Sequence, residues 1–149
     1  MKKKLWICLT LLAINVLFIW GNSLLPGTIS GAISGWVRDI LASILPGGSA
    51  EPDTGHGMVR KLAHFTEFAC LGGLLYWMFT MLKKTPWLAL PCGMLVAAID
   101  ETIQMFVPDR GPSVWDVAID SSGVVLGMIL LFVGYYIKSK KQATEDINL

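Results

Sequence analysis

The chain has 149 residues, of which 54% are hydrophobic and 15% are charged, and its mean hydropathy is +0.59. A soluble domain of this size would expose too much apolar surface, so the composition predicts a polytopic membrane protein. The net charge of +1 gives no reason to expect a nucleic acid as a partner.

The first predicted elements are a membrane span and a surface helix. The span covers about residues 5–25, and its length and lack of an A-x-A cleavage site favour an uncleaved helix over a signal peptide. The apolar residues of about 28–45 recur with a helical period, opposite a polar face. We therefore expect an amphipathic helix in the membrane interface, with a weak transmembrane span as the less favoured alternative.

Three further spans follow a loop over 46–57. They are predicted at about 58–82, 87–107 and 114–137, each near the roughly 20 residues that a bilayer requires. No linker or repeat divides the chain, so we expect one domain over 1–149. The predicted fold is an all-α integral membrane bundle of four transmembrane helices with one extra amphipathic helix.

The lysines predict the orientation of the bundle. They cluster before the first span, after the second span and after the fourth, at Lys2–Lys4, Lys83–Lys84 and Lys138–Lys141. The positive-inside rule places these three boundaries in the cytoplasm, so both termini are expected inside and the amphipathic helix outside. Arg60, Lys61 and Arg110 fall on the outer side against this rule, which favours a functional role for them.

Ionisable side chains recur in the outer part of three predicted spans. They are spaced three or four residues apart, so those of one helix share a face. Each charge costs roughly 2.5–3.5 kcal/mol at mid-membrane, so the set requires partners or a water-filled cavity. We therefore predict an outward-facing polar pocket between the second, third and fourth spans. Its predicted ligand-binding residues are Arg60, Lys61, His64, Glu67, Asp100, Glu101, Gln104, Arg110, Ser113, Asp116 and Asp120.

Simpler interpretations of the same residues stay open. The charges are also consistent with a structural salt-bridge network that fixes how the helices pack. Ser113 and Asp116 have the spacing of a helix-capping box, with Asp in place of Glu. Gly123-x-x-x-Gly127 favours a close helix contact over a binding site.

The cations and the carboxylates suggest two different functions. Arg60, Lys61 and Arg110 at the outer rim are suited to hold a phosphate or carboxylate, which predicts an anionic lipid-linked or cell-wall ligand. The alternative is a metal-assisted intramembrane hydrolase or transferase. A small ion-coupled transporter is disfavoured, since the inner half of the spans lacks charge.

Whether the protein is an enzyme stays open at this stage, and the sequence requires no cofactor. No HExxH motif or nucleophile elbow is present. A divalent metal ion would find oxygen ligands in the pocket. The catalytic candidates are His64, Glu67, Asp100, Glu101 and Asp116, and the metal-binding candidates are Glu67, Asp100, Asp116 and Asp120.

The polar motifs together resemble the VanZ-like family of bacterial membrane proteins. The stretch RKLAHFTEF is similar to that family's R-K-x-x-H-F-x-E-[FY] motif. DETIQMFVPDRGPSVWDVAIDSSGVVLG is similar to its D-E-x-x-Q-x-F-[VI]-P-x-R turn and S-x-x-D-x-x-[ND]-x-x-G helix. Carried over by position, the resemblance implies the same eleven pocket residues. Two positions depart from the pattern: Asp109 stands where glycine is usual, and Asp120 where many members have asparagine.

The resemblance also implies a location and a biological setting. The protein is expected in the bacterial cytoplasmic membrane, with membrane lipids and a lipid-linked or cell-wall ligand as partners. The founding member is associated with resistance to the glycopeptide teicoplanin, so a role in antibiotic resistance is a further expectation. No coenzyme-A feature supports the phosphotransbutyrylase activity attributed to some members.

Overall fold

The computed structural model describes residues 2–44, 55–111 and 113–147, and within them the chain is helical, with no strand. The predicted all-α fold is therefore confirmed. The helices are α1 (Lys2–Ser23), α2 (Gly27–Ile44), α3 (Gly55–Met81), α4 (Ala89–Gln104) and α5 (Val114–Ile147), with a short 3₁₀ helix at Pro86–Leu88.

Three of the described segments are long and apolar enough to cross a membrane. They are Lys2–Ser23, Pro86–Gln104 and Val114–Glu145. α3 is 27 residues long but is not among them, because its first half carries ionisable side chains. Many large apolar side chains of the bundle are exposed, as expected where helices face lipid. The structure thus has the character of a membrane protein, while the crossing by α3 stays a prediction.

α3 is the central helix, since it packs against each of the other four. Its contact with α5 is made through small residues. A Cβ atom added at Gly123 would collide with the carbonyl oxygen of Phe65, and one added at Gly127 with that of Ala69. We call this close contact the α3–α5 seam. The expectation of a helix contact at Gly123-x-x-x-Gly127 is confirmed, because only glycine lets the two backbones approach so closely.

α2 corresponds to the predicted amphipathic helix. Ser34 and Gly35 are its buried residues, while Ile33, Trp36 and Ile44 are at least half exposed. Two small residues of α2 therefore contact the protein, and several of its large apolar side chains point away from it. Its location in the membrane interface stays a prediction. Residues 46–54 of the loop predicted over 46–57 lie outside the described residues, and 55–57 belong to α3 instead.

The lysine-bearing ends of α1 and α3 lie together. Lys83 follows α3 with φ 55° and ends the helix by a pair of backbone bonds, Lys83 N to Thr80 O at 3.1 Å and Lys84 N to Phe79 O at 3.0 Å. Lys2 and Lys83 line one cavity, so the start of α1 adjoins the end of α3. We call this region the lysine end.

α5 is longer than the predicted span over 114–137. It continues to Ile147, because the tail beyond 137 is built mainly from good helix formers such as lysine, glutamine, alanine and glutamate. Most of the described side chains in this extension are exposed, so it lies outside the packed bundle.

Candidate functional site

The ionisable side chains collect where α1 and α4 end and α3 and α5 begin. Ser23 is the last residue of α1, Gln104 is the last of α4, and Val114 is the first of α5. The loop between α4 and α5 is joined to the start of α2, since the Gly27 amide donates to the Pro108 carbonyl at 3.1 Å. We call this region the polar end.

Arg110 holds the α4–α5 loop against the end of α1. Its Nε donates to the Leu25 carbonyl and its Nη2 to the Asn22 carbonyl, both at 3.0 Å. Carbonyls at a helix C-terminus lack partners within the helix, so a charged donor stabilises them. Burial lowers the pKa of the Arg110 guanidinium, and the positive charge of Arg60 lowers it further, although arginine remains charged. Two donors of this predicted anion-binding residue are therefore bonded to backbone.

The turn beside Arg110 contains a residue in a left-handed conformation. Asp109, which stands where the resemblance has glycine, has φ 59°. Aspartate tolerates this conformation better than most residues, although glycine adopts it more readily. A Cβ atom at Gly27 would collide with the Asp109 carbonyl, so the start of α2 needs glycine.

Asp100 is the centre of a buried polar network. It is 0% exposed, and its Oδ2 accepts a hydrogen bond from Gln104 Nε2 at 2.9 Å. The same amide nitrogen donates to Ser23 Oγ at 3.2 Å, which links α4 to α1. His64 Nδ1 lies 3.8 Å from Asp100 Oδ2 and connects α3 to this network.

Asp120 approaches the same network from α5. It is 1% exposed, and its Oδ2 has no hydrogen-bond partner in the described part of the chain. One potential ligand atom each from His64, Asp100 and Asp120 lies within 4.8 Å of the other two. Three helices thus bring one imidazole and two buried carboxylates together.

Glu67 is directed toward α1. Its Oε1 accepts a hydrogen bond from Asn22 Nδ2 at 2.9 Å, and Asn15 Nδ2 donates to its backbone carbonyl at 3.4 Å. Glu67 lines neither the cavity described below nor the group of His64, Asp100 and Asp120. Its contacts therefore join α3 to α1.

Glu101 connects α4 to the start of α5. Its Oε2 accepts a hydrogen bond from the Ser113 amide at 2.8 Å. In a capping box, Asp116 would accept the hydrogen bond of the Ser113 amide. Here Glu101, which belongs to α4, accepts it instead. Asp116 Oδ1 instead lies 3.6 Å from Lys61 Nζ, in a pair whose lysine side chain is 48% exposed.

A narrow cavity opens among these side chains. Its water-accessible space is about 10 Å³, room for about one water molecule. Lys61 is exposed and Arg60 and Asp116 are partly exposed, whereas Glu101, Gln104 and Asp120 are buried. The mouth therefore carries two cations and the interior mainly carboxylates. The lining residues are Arg60, Lys61, His64, Glu101, Gln104, Asp116, Ile119 and Asp120.

The structure places all eleven sequence-predicted residues at the polar end, in different environments. Seven line the cavity, Asp100 lies beside it, and Glu67, Arg110 and Ser113 bond to neighbouring helices or loops. Of the metal-binding candidates, Asp100 and Asp120 lie together with His64, while Glu67 and Asp116 fall outside that group. Sequence reasoning missed the Leu25 and Asn22 carbonyls that bind Arg110, because every residue has a backbone carbonyl and the residue type does not reveal its role.

Comparison with known proteins identifies a family but no close relative. The family model described as VanZ/LLP1 matches residues 5–135, which include every residue of the polar end. No curated protein and no solved structure matches the chain.

Proposed function

The chain belongs to the VanZ/LLP1 family, and from this premise we propose that it is a bacterial cell-envelope protein whose polar end binds an anionic ligand. The ligand is a lipid-linked phosphate or a carboxylate of the cell wall, held at the outer face of the cytoplasmic membrane. Binding of this ligand reduces the effect of a teicoplanin-type glycopeptide on its target.

The proposed topology has four spans. α3 crosses with α1, α4 and α5, because it packs at the centre of these three span-length helices. α2 lies in the outer interface, with its exposed apolar face in lipid. Both termini are cytoplasmic, and the lysine end faces the cytoplasm.

The observation that carries the proposal is the position of Arg60. It is partly buried at the mouth of the cavity, and no hydrogen bond or ion pair joins it to another group in the described ranges. It is close enough to Arg110 for the two positive charges to repel. An anion between them would relieve this repulsion and accept hydrogen bonds from a planar guanidinium fork.

The small size of the cavity favours a position of the anion at its mouth. Its interior has room for about one water molecule, which is too little for a phosphate group. Lys61 adds a second, exposed cation at the mouth, where its ammonium also lies near Asp116. A lipid headgroup would contact both cations while its chains stay in the membrane.

Native mass spectrometry of the protein released from lipid nanodiscs tests this proposal. With a polyprenyl phosphate in the nanodisc, we expect the wild-type chain to retain the lipid and Arg60→Gln to retain at least about tenfold less, since charged hydrogen bonds contribute ~1.5–3 kcal/mol. Lys83→Gln at the lysine end is the matched control and should retain the lipid like the wild type. Equal retention by Arg60→Gln would contradict the proposal.

Two further arms distinguish the sources of the anion and the biological role. In one arm, a soluble peptide with a free carboxylate replaces the polyprenyl phosphate. The compound that the wild-type protein retains to the greater extent identifies the class of ligand. In the other arm, cells that express the protein are grown with teicoplanin. We expect higher survival with the wild type and with Lys83→Gln than with Arg60→Gln.

A further inference from the structure

We propose that the polar end also holds one divalent transition-metal ion, bound by His64, Asp100 and Asp120. Each of α3, α4 and α5 contributes one ligand to this site. The inference does not depend on the anionic ligand, because it uses the interior of the polar end and not the cations at its mouth.

The ligand atoms of the three side chains lie only slightly farther apart than the ligands of a bound metal ion. One ligand atom from each lies within 4.8 Å of the others. Two ligands of the same ion stand about 3–4.4 Å apart when each metal–ligand distance is about 2.0–2.2 Å. Small side-chain rotations therefore bring the three atoms to coordinating distance without moving the helices.

Each of the two buried carboxylates has one oxygen without a hydrogen-bond partner among the described residues. Asp100 is 0% exposed and Asp120 is 1% exposed, yet Asp100 Oδ1 and Asp120 Oδ2 accept no hydrogen bond in the described part of the chain. Buried polar atoms are ordinarily bonded, and unpaired ones require an explanation such as an ion. A divalent cation neutralises both carboxylates and occupies their free lone pairs.

Among the described residues, no lysine or arginine of the polar end forms an ion pair with Asp100 or Asp120. Lys61 lies against Asp116, and Arg110 donates to two backbone carbonyls. Arg60 forms no ion pair with Asp100 or Asp120 within the described ranges. His64 Nδ1 lies 3.8 Å from Asp100 Oδ2, and a neutral imidazole is itself a metal ligand. The positive charge of Arg110 also acts on Asp100, although the two form no ion pair among the described residues.

The donor set indicates the class of metal. One imidazole nitrogen with two carboxylate oxygens suits Zn²⁺ or Mn²⁺, whereas Mg²⁺ and Ca²⁺ prefer oxygen ligands alone. The adjoining cavity has room for about one water molecule, which would complete the coordination shell. Gln104 donates to Asp100 Oδ2 and orients that ligand from outside the site.

Metal analysis of the full-length protein in detergent tests the site. The purified protein is stripped with a chelator, reloaded with Zn²⁺ and measured for bound metal, and Co²⁺ is titrated in parallel while its visible absorption is recorded. We expect one ion per chain for the wild type and none for His64→Gln or Asp120→Asn. Gln104→Ala should weaken binding by about 10- to 100-fold, as is typical when a residue that orients a ligand is removed.

Asp116→Asn and Glu67→Gln are the matched controls, because they neutralise carboxylates of the polar end that lie outside the proposed ligand group. Both should retain one ion per chain. Circular dichroism of each variant verifies that it is helical. A correctly folded wild-type protein that binds neither Zn²⁺ nor Co²⁺, or an Asp120→Asn variant that retains the ion, would overturn the proposal.

Discussion

α3 and α5 form two regions of opposite character within a short distance along their length. In the α3–α5 seam, glycines bring the backbones into contact and leave no space for even one added carbon atom. At the polar end, the same helices contribute His64 and Asp120 to a site where the carboxylate of Asp120 is buried and its Oδ2 has no hydrogen-bond partner among the described residues. The contacts of the seam are therefore all made within the protein, whereas the polar end has buried polar atoms that lack a partner among the described residues.

The difference indicates what each region contributes. Close packing in the seam stabilises the bundle, because apolar burial alone does not hold helices together in lipid. Unbonded buried groups at the polar end lower stability, and proteins retain such groups where function needs them. Substitutions should thus separate the two regions: those in the seam change folding, whereas those of Arg60 and of the proposed metal ligands at the polar end change binding.

The largest expected effect is from Gly127→Ala in the seam. The added methyl group would collide with the Ala69 carbonyl, so we expect the free energy of unfolding to fall by about 3 kcal/mol or more. Titration with SDS in detergent measures this change. Gly134→Ala on the same helix is the control, since nothing lies within 4 Å of its added carbon, and it should cause no loss. Similar stability for both variants would refute the account of the seam.

A smaller effect is expected at Arg110, which separates the two arginines of the polar end. Arg110→Gln removes the hydrogen bonds to the Leu25 and Asn22 carbonyls and should lower the free energy of unfolding by about 2 kcal/mol. Arg60→Gln should change it by less than about 0.5 kcal/mol, because Arg60 makes no comparable bond to any described residue. The same SDS titration applies to both. Equal destabilisation would mean that Arg60 is structural.

A small effect of opposite sign, a gain in stability, is expected at the turn beside Arg110. Asp109 has φ 59°, a conformation that glycine adopts without strain, so Asp109→Gly should raise the free energy of unfolding by about 0.5–1 kcal/mol. Lys83→Gly, at φ 55° after α3, should show a similar gain at the lysine end. A loss of stability in Asp109→Gly would indicate that the aspartate side chain holds the turn.

The features that the sequence predicted correctly are those that follow from helical periodicity and from short motifs. Helical spacing predicted that ionisable residues of three spans share faces in their outer parts, and the structure has ligand atoms of His64, Asp100 and Asp120 within 4.8 Å of one another. The glycine spacing of the seam predicted a helix contact, and motif order predicted the family.

What the sequence did not predict depends on how the helices pack. The spacing of Ser113 and Asp116 suggested a local capping box, but the Ser113 amide bonds to Glu101 of another helix. Arg110 was predicted to bind an anion, while two of its donors reach carbonyls that any residue could supply. Glu67 follows His64 by three residues, so the spacing predicted that both side chains face the pocket. The Glu67 carboxylate instead accepts a hydrogen bond from Asn22 of α1.

The stability of Asp120→Asn tests most directly whether the polar end is kept for binding. Its free energy of unfolding is compared with that of the wild type by SDS titration in a metal-chelating buffer. We expect Asp120→Asn to be as stable as the wild type or more stable, since it replaces a buried carboxylate whose Oδ2 has no hydrogen-bond partner among the described residues. A loss of about 2 kcal/mol or more would contradict the account and identify the cluster as a structural ion-pair network.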